Sequence, residues 1–484
     1  MTNVRRSFLL SFADNYLAIA LQIASTVVIA RLLTPAEVGV FAIAAVFSAL
    51  ASSFRDFGFA EYLIQARDLD HAKIRAALGM NIIVSWMMAV TLFFAAPAVA
   101  SFYNEAGVGA VMRVLALSFL IVPFGAVVQS WFRRELNYKP IVITNALSNI
   151  TAFGVAVGLA LQGHGYMSLA WSTFAGIAVT VLGSTYFRPR GFPRWPGFKG
   201  IGEVFHFGKF TTGMYILNQL GRGAPELIIG RVSGAADVGI FSRANGLVEL
   251  FRRLLLKPVF QVCLPYFARA GREQGTVAPS YVSSVGLITA VGWPFLGFFA
   301  LASYALIRIV YGIQWLDAVP LARILCLACA VELSFVLSRE ALLAGGDARR
   351  ASVLQLQIAV MQVAGLALVI PYGLIGASWG LTAAAVGGLF VSQRHLHQAI
   401  GLELRPVLRA CAPSALLALW TVGPLAGAAL LVPIDESNFV VWAFAGSVAC
   451  TSLWLVGLRL IKHPLWVEVE NLATKVWRWR GAKE

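Results

Sequence analysis

Charged residues are scarce in this sequence. They make up 13% of its 484 residues, about half of the roughly 25% that soluble domains carry. The sequence has no HExxH or comparable histidine spacing, no phosphate-binding glycine loop and no nucleophile elbow. These absences argue against an enzyme and against a bound metal or other cofactor. Cys326 and Cys329 form a CxxC pattern inside an apolar run, where buried small residues explain it better than a redox or metal site.

Hydrophobic residues make up 59% of the chain and form repeated apolar runs. Each run is about 20 residues long, enough to cross a hydrocarbon core about 30 Å thick. Inside lipid the backbone must satisfy its own hydrogen bonds, so the runs are helices. The sequence therefore predicts an all-α polytopic membrane protein with about 14 transmembrane helices, at 8–30, 38–60, 76–100, 108–131, 140–161, 166–187, 204–230, 238–264, 281–304, 318–343, 352–371, 374–393, 408–432 and 438–460.

Basic residues alternate from loop to loop along the chain. The segments that precede the first span and follow the even-numbered spans are rich in Arg and Lys, whereas intervening loops such as 162–166 and 433–437 are poor in them. Because basic loops stay on the cytoplasmic side, both termini are predicted to be cytoplasmic. The bases flank apolar spans instead of clustering on a soluble face, so the net charge of +15 does not indicate nucleic-acid binding.

An internal repeat divides the chain. Residues 30–41 align with 230–241 without a gap, 111–117 resemble 321–327, and 165–171 resemble 373–379. Arg31, Gly39 and Phe41 in the first copy of the longest match have identical partners in the second, and Glu37 has Asp237. Three matches in the same order indicate a duplication.

The duplication predicts an N-lobe at 1–195 with six spans and a C-lobe at 196–400 with six more. Because each lobe has an even number of spans, the two should be related by a pseudo-twofold axis along the membrane normal, as in transporters with parallel repeats. Two further spans occupy 401–462. The tail at 463–484 is predicted to be a cytoplasmic amphipathic helix, with Leu465, Val469, Leu472 and Val476 on the face that contacts anionic lipid. Gly154 and Gly158, like Gly376 and Gly380, predict close helix packing.

Several charged residues fall inside the predicted spans, where each costs at least about 2.5–3.5 kcal/mol unless it faces protein or water. Arg252 lies about 21 Å along a helix that begins near Val238, near the membrane centre or inner leaflet. Two interpretations remain open. One is a set of internal ion pairs, Arg222–Glu226 or Glu249–Arg253. The other is a cationic cavity for an anionic head group, which the excess of Arg over acid in the eighth span favours because a guanidinium donates two parallel hydrogen bonds to phosphate.

The ARLLTPAEVGVFAIA stretch at 30–44, the FRDFGFAEYLIQ stretch at 54–65 and the two six-span lobes resemble the polysaccharide exporters of the multidrug/oligosaccharidyl-lipid/polysaccharide superfamily, especially Wzx-type flippases. The resemblance covers essentially the whole chain. It implies that the substrate is an undecaprenyl-diphosphate-linked oligosaccharide, carried across the bacterial inner membrane for exopolysaccharide or lipopolysaccharide synthesis. It also implies a polysaccharide polymerase and a chain-length regulator as partners, besides membrane lipids.

The resemblance extends to individual residues. Arg55 is similar to a cavity arginine of lipid II flippases, Asp14 to an acidic residue in their first helix, and the basic residues of the eighth span to their other cavity arginines. Transport is expected to occur by alternating access. The residues expected to bind the substrate are Arg55, Arg222, Arg243, Asn245, Arg252, Arg253 and Lys257. The candidates for binding a coupling proton or sodium ion are Asp14, Asp56, Glu226 and Glu249.

Other classes of membrane protein fit the sequence less well. A cation-coupled antiporter of the MATE type has the same topology but would need an acidic or apolar cavity, which the basic eighth span argues against. A membrane glycosyltransferase or polymerase would need large periplasmic loops or a soluble catalytic domain, and the sequence has neither.

Overall fold

The computed structural model describes residues 2–56, 59–65, 70–193, 195–197 and 201–471, and within these ranges the regular secondary structure is entirely helical. The α-helices are α1 (Thr2–Leu32), α2 (Pro35–Arg55), α3 (Phe59–Gln65), α4 (His71–Tyr103), α5 (Ala106–Arg134), α6 (Tyr138–Leu161), α7 (Tyr166–Tyr186), α8 (Ile201–Val232), α9 (Ala235–Phe251), α10 (Lys257–Gln274), α11 (Ala278–Leu301), α12 (Ser303–Val310), α13 (Ala318–Leu333), α14 (Ser338–Ala344), α15 (Ala348–Val369), α16 (Gly373–Ile400), α17 (Leu404–Leu431) and α18 (Phe439–Leu460).

The helices follow the predicted spans closely. Ten helical stretches in the described chain are long and apolar enough to cross a membrane, and one of them, Ala348–Ile400, contains both α15 and α16. The all-α polytopic membrane architecture is therefore confirmed. The number of about 14 crossings remains a prediction, since α1, α8 and the stretch from α9 to α10 are not among the ten. The sequence did not predict the short helices α3 and α12.

The first copy of the repeated element starts α2 with a complete capping box. The backbone N–H of Thr34 donates to the Glu37 carboxylate at 2.8 Å, and the Glu37 N–H donates to the Thr34 hydroxyl at 3.4 Å. Pro35 follows in the first turn, where its missing N–H would have had no helical partner. The local sequence Leu-Thr-Pro-Ala-Glu thus fixes where the helix begins.

The two copies of the repeated element pack against each other through glycine. A Cβ atom built at Gly39 would lie 1.7 Å from the carbonyl oxygen of Ala235, and one built at Gly239 would lie 2.0 Å from the carbonyl oxygen of Pro35. The contact is reciprocal: each glycine faces the first turn of the other helix. Glycine occurs at both equivalent positions because a side chain on either would separate the two backbones.

The chain forms two compact units, Met1–Ser242 and Arg243–Glu484, here called the first and second unit. In the first unit α4 packs on α5, α6 on α7 and α5 on α7; in the second unit α11 packs on α13, α15 on α16 and α13 on α16. These are the pairings that the duplication places in equivalent positions. The lobe boundary at 195 and 196 remains a prediction and differs from the boundary between units, because α8 packs on α2 and α4.

Two packing predictions need correction. In the described part of the chain nothing lies within 4 Å of a Cβ built at Gly154 or Gly158, whereas one built at Gly380 would lie 2.2 Å from the Gly365 carbonyl oxygen. Close packing is therefore confirmed only for the second pair. In the tail, residues 464–471 are helical, but Leu465 and Val469 pack against a buried cluster of the second unit instead of being left for lipid. The predicted residues Leu472 and Val476 lie outside the described residues.

Candidate functional site

The helical region that carries most of the predicted substrate-binding residues is irregular at Arg252. Between α9 and α10, residues Arg252–Leu256 form a π-helical segment. Pro258 follows, lacks a backbone N–H, and its ring clashes with the carbonyl of the residue four positions before it. A widened turn relieves that clash, and such π-helical segments are frequent at functional sites.

Arg252 forms an ion pair with an acidic residue of another helix. Its Nη2 atom donates to Oε2 of Glu332 at 2.5 Å, and the two side chains are 36% and 19% exposed, so the pair is accessible. The Nε atom of Arg252 has no hydrogen-bond partner in the ranges that the structure describes. Cys329, one turn before Glu332 on α13, lies close enough to interact with the same guanidinium.

Glu332 lies where its own membrane span is interrupted. It is the second-to-last residue of α13, and a turn at 334–337 separates α13 from α14 within the apolar stretch Ala318–Ala344. The predicted span at 318–343 is therefore a broken helix. Broken helices in transporters are typical of substrate and ion sites, so both partners of the ion pair lie at irregularities of their helices.

A second ion pair lies beside the first. The Nε atom of Arg253 is 3.5 Å from Oε1 of Glu249, one turn earlier, and the side chains are 50% and 35% exposed. The predicted Glu249–Arg253 pair is thus present. The other predicted pair is wrong: within the described chain no ion pair joins Arg222 to Glu226, and Arg222 is exposed.

Glu226 is instead a half-buried acid with one buried, unsatisfied oxygen. Its Oε2 atom is inaccessible and has no hydrogen-bond partner among the described residues. It follows Pro225 within α8. A buried carboxylate oxygen without a partner is costly, which is consistent with a role in binding a cation or proton.

Arg243 packs against aromatic rings. Its guanidinium carbon lies 5.5 Å from the ring centre of Tyr311 and 5.1 Å from that of Trp315. Both rings belong to the segment between α12 and α13. Burial raises the pKa of the Tyr311 phenol above its ordinary value, so a neutral ring faces the cation. These cation–π contacts connect the middle of α9 to that segment, so the guanidinium of this predicted substrate-binding residue already has two aromatic partners.

Arg55 belongs to the first unit, and it too contacts an acid. Its Nη2 atom is 2.6 Å from Oδ1 of Asp56, and its guanidinium lies 5.6 Å from the ring centre of Phe119. Of the remaining predicted residues, Asn245 is half-buried on α9. Asp14 and Lys257 lie on described helical backbone, but their side chains lie outside the described part of the structure.

Glu332 is not among the residues predicted from the sequence. Arg exceeds acid within the eighth span alone, and Glu332 from the tenth span reduces that excess. The signal in the sequence was an acidic residue inside a predicted membrane span. The structure thus brings Arg252, Arg253, Glu249 and Glu332 together in the second unit as two adjacent ion pairs.

The model of a family described as polysaccharide biosynthesis protein matches residues 28–320. The chain belongs to this family. The matched part includes both copies of the repeated element. It also includes Glu249, Arg252 and Arg253, whereas Glu332 lies beyond its end.

Two curated relatives whose names refer to polysaccharide biosynthesis are similar to this chain in sequence. The teichuronic acid biosynthesis protein TuaB of Bacillus subtilis is 26% identical over 306 residues, 60% of this chain and 61% of that protein. The succinoglycan biosynthesis transport protein ExoT of Rhizobium meliloti is 25% identical over 305 residues, 62% of this chain and 61% of that protein. The chain therefore spans about three fifths of the length of these relatives.

Solved structures share the fold at low sequence identity. The lipid II flippase MurJ in an inward closed conformation has a TM-score of 0.75 and 12% identity, covering 93% of this chain and 99% of that one. An inward-facing multidrug resistance transporter of the MATE family has a TM-score of 0.60 and 17% identity, covering 79% of this chain and 95% of that one. The chain thus shares its fold with this lipid II flippase and with this MATE-family transporter.

Proposed function

We propose that the chain is a flippase that moves undecaprenyl-diphosphate-linked oligosaccharide repeat units across the bacterial inner membrane, for exopolysaccharide or lipopolysaccharide synthesis. The observation that carries the proposal is membership of the polysaccharide biosynthesis protein family. A sugar diphosphate cannot cross a hydrocarbon core about 30 Å thick unaided, because charged and polar groups are costly there. A polytopic helical protein with arginines inside its spans can supply a polar route.

The diphosphate would bind to the arginines while the prenyl chain stays in the bilayer. The side chains of Arg252 and Arg253 are 36% and 50% exposed. Parts of both guanidiniums are therefore accessible to phosphate oxygens, which accept paired N–H groups well. Arg55, Arg222, Asn245 and Lys257 are further candidates. Arg243 is a candidate too, although its guanidinium already contacts the rings of Tyr311 and Trp315.

The transport cycle would be alternating access with both termini in the cytoplasm. Asp14, Asp56, Glu226 and Glu249 are the candidates for a coupling proton or sodium ion. Glu226 has the strongest structural support among them because of its unpartnered buried oxygen. The proposed partners are a polysaccharide polymerase and a chain-length regulator, and no catalytic activity is proposed.

Loss of charge at the two ion-paired arginines tests this function in cells. In a host that lacks its own copy of the gene, the Arg252→Ala, Arg253→Ala double variant should fail to restore surface polysaccharide although the protein reaches wild-type abundance in the membrane. Arg269→Ala is the matched control, because Arg269 also pairs with an acid four residues away but is 72% exposed. Wild-type polymer levels from the double variant would refute the cationic site.

The MATE-type antiporter remains the alternative, since that family shares the fold and the site contains acids as well as arginines. It predicts a different phenotype. Cells that express the chain would resist organic cations, and surface polysaccharide would not depend on it. Measurement of drug resistance in the same strains separates the two functions.

A further inference from the structure

The Arg252–Glu332 ion pair is short but only partly buried. The donor and acceptor atoms are 2.5 Å apart, yet 36% of the Arg252 side chain and 19% of the Glu332 side chain are exposed. A phosphate oxygen that approached Arg252 would compete with the Glu332 carboxylate for the same guanidinium. Under the proposed function the site must therefore exchange one anion for another.

If Arg252 left Glu332, the ionised carboxylate of Glu332 would lie in an unfavourable electrostatic environment. Glu332 lies in the last turn of α13, where the partial negative charge of the helix C-terminus disfavours a carboxylate. Cys329, which interacts with Glu332, Arg252 and Glu249, supplies no positive charge. Glu249 itself pairs with Arg253.

The helices packed on α13 carry few basic residues. α11 contains no Asp, Glu, Lys, Arg or His. The basic residues of α16 are confined to Arg394, His395 and His397 in its C-terminal part, and His395 contacts Gln357 of α15. Arg308 of α12 pairs with Glu436 at 3.1 Å. An unpaired carboxylate in a low-dielectric site is neutralised by taking up a proton.

We propose that Glu332 is a proton-binding residue that holds Arg252 until the diphosphate of the substrate replaces it. The carboxylate of Glu332 gives up the Arg252 guanidinium to a phosphate oxygen and takes one proton from water, and Arg252 keeps its own charge throughout. No covalent bond is broken or formed. This inference rests on the proposed function, which supplies the diphosphate, and it assigns proton uptake to a residue outside the candidates named from the sequence.

Calorimetry of diphosphate binding tests the exchange directly. Purified full-length protein in detergent is titrated with farnesyl diphosphate, a soluble polyprenyl diphosphate, in buffers that differ in ionisation enthalpy. The buffer dependence of the heat gives the number of protons taken up. We expect wild-type protein to take up about one proton more than Glu332→Gln on binding farnesyl diphosphate. We also expect Glu332→Gln to bind farnesyl diphosphate about tenfold more tightly than wild type. The reason is that Glu332→Gln lacks the competing charge-assisted hydrogen bond, whose removal is equivalent to about 1.4 kcal/mol.

Two variants make the result specific. Glu273→Gln, which removes the acid of the exposed Arg269–Glu273 pair, should keep the wild-type proton uptake. Glu332→Asp keeps an ionisable group and should also take up the proton. If Glu332→Gln does not fold, Glu332→Ala serves as the variant without an ionisable group. Proton uptake that is unchanged in the variant without the Glu332 carboxyl, or lost in Glu273→Gln, would overturn the assignment. Failure of wild-type protein to bind farnesyl diphosphate at all would overturn the proposed function and this inference with it.

Discussion

The contact between the two copies of the repeated element gives a quantitative prediction. In Gly239→Ala the new methyl group would lie 2.0 Å from the carbonyl oxygen of Pro35, whereas ordinary van der Waals contact begins at 3.4 Å. The obstructing atom belongs to the backbone at the start of α2, which the capping box of Thr34 and Glu37 holds in place. No side-chain rotation can relieve the clash, so the two helices must separate.

The expected destabilisation follows from two opposing effects. Overpacking of a tight contact costs about 1–3 kcal/mol, and a rigid backbone obstacle favours the upper end of that range. Replacement of Gly by Ala inside a helix returns about 1 kcal/mol. The net loss for Gly239→Ala is then about 2 kcal/mol. Gly158→Ala is the matched control, because only the second effect applies where no described atom lies within 4 Å.

Thermal unfolding of the purified proteins in detergent, followed by tryptophan fluorescence, measures the difference. Gly239→Ala should unfold at a lower temperature than wild type, and Gly158→Ala at the same or a higher temperature. If both variants unfold like wild type, the two copies are not in contact as described, and the reason given for glycine at these equivalent positions is wrong.

Three further predictions concern single contacts. Thr34→Ala should lower stability by about 1 kcal/mol by removing the cap of α2, while Thr34→Ser stays close to wild type in the same unfolding assay. Arg243→Met should lower the unfolding temperature by removing about 1–2 kcal/mol of cation–π attraction to Tyr311 and Trp315, with Arg243→Lys intermediate; equal stability of all three would contradict the stacking. Burial lowers the pKa of His463 below its ordinary 6.5, so the unfolded state binds the proton more readily, and stability should fall as pH drops below about 6.5. His463→Asn should flatten that pH dependence, and an unchanged slope would assign it to other groups.

The contacts of His463 give the physical reason for that pH dependence. Its Nδ1 atom accepts from the Leu465 N–H at 3.2 Å, and its Nε2 atom lies 3.3 Å from the Ser414 hydroxyl. The ring is 3% exposed. Protonation would place a hydrogen on Nδ1, abolish its acceptor role and bury a charge. The start of the tail is thus fixed to the second unit by a neutral histidine.

Features of the fold that depend on residues close together in the chain could be predicted from the sequence. Apolar runs define the membrane helices because no other backbone arrangement satisfies its hydrogen bonds in lipid. The Thr-Pro-Ala-Glu pattern determines the start of α2, and the repeat of Gly39 at Gly239 reflects a contact between backbones. The same reasoning gave the Glu249–Arg253 pair, because residues four apart on a helix are neighbours.

The partner of Arg252 could not be predicted in that way. Glu332 is 80 positions away in sequence, and only the packing of the folded chain brings the two side chains together. The helix break after α13 was likewise hidden, because the run from 318 to 343 is long and apolar enough to predict one continuous span despite its charged residues. Pro258 was a usable signal for the π-helical segment, since proline perturbs the preceding turn.

Transport by purified protein tests the central claim most directly. The chain is reconstituted into liposomes that contain a fluorescent saccharide linked to a short polyprenyl diphosphate, and a membrane-impermeant reductant quenches the label on the outer leaflet. Wild-type protein should make the inner-leaflet label accessible well above the rate in protein-free vesicles, and the Arg252→Ala, Arg253→Ala double variant should not. Quenching in wild-type vesicles that stops at the outer leaflet, or equal exchange by the double variant, would contradict a flippase that binds its diphosphate through these arginines.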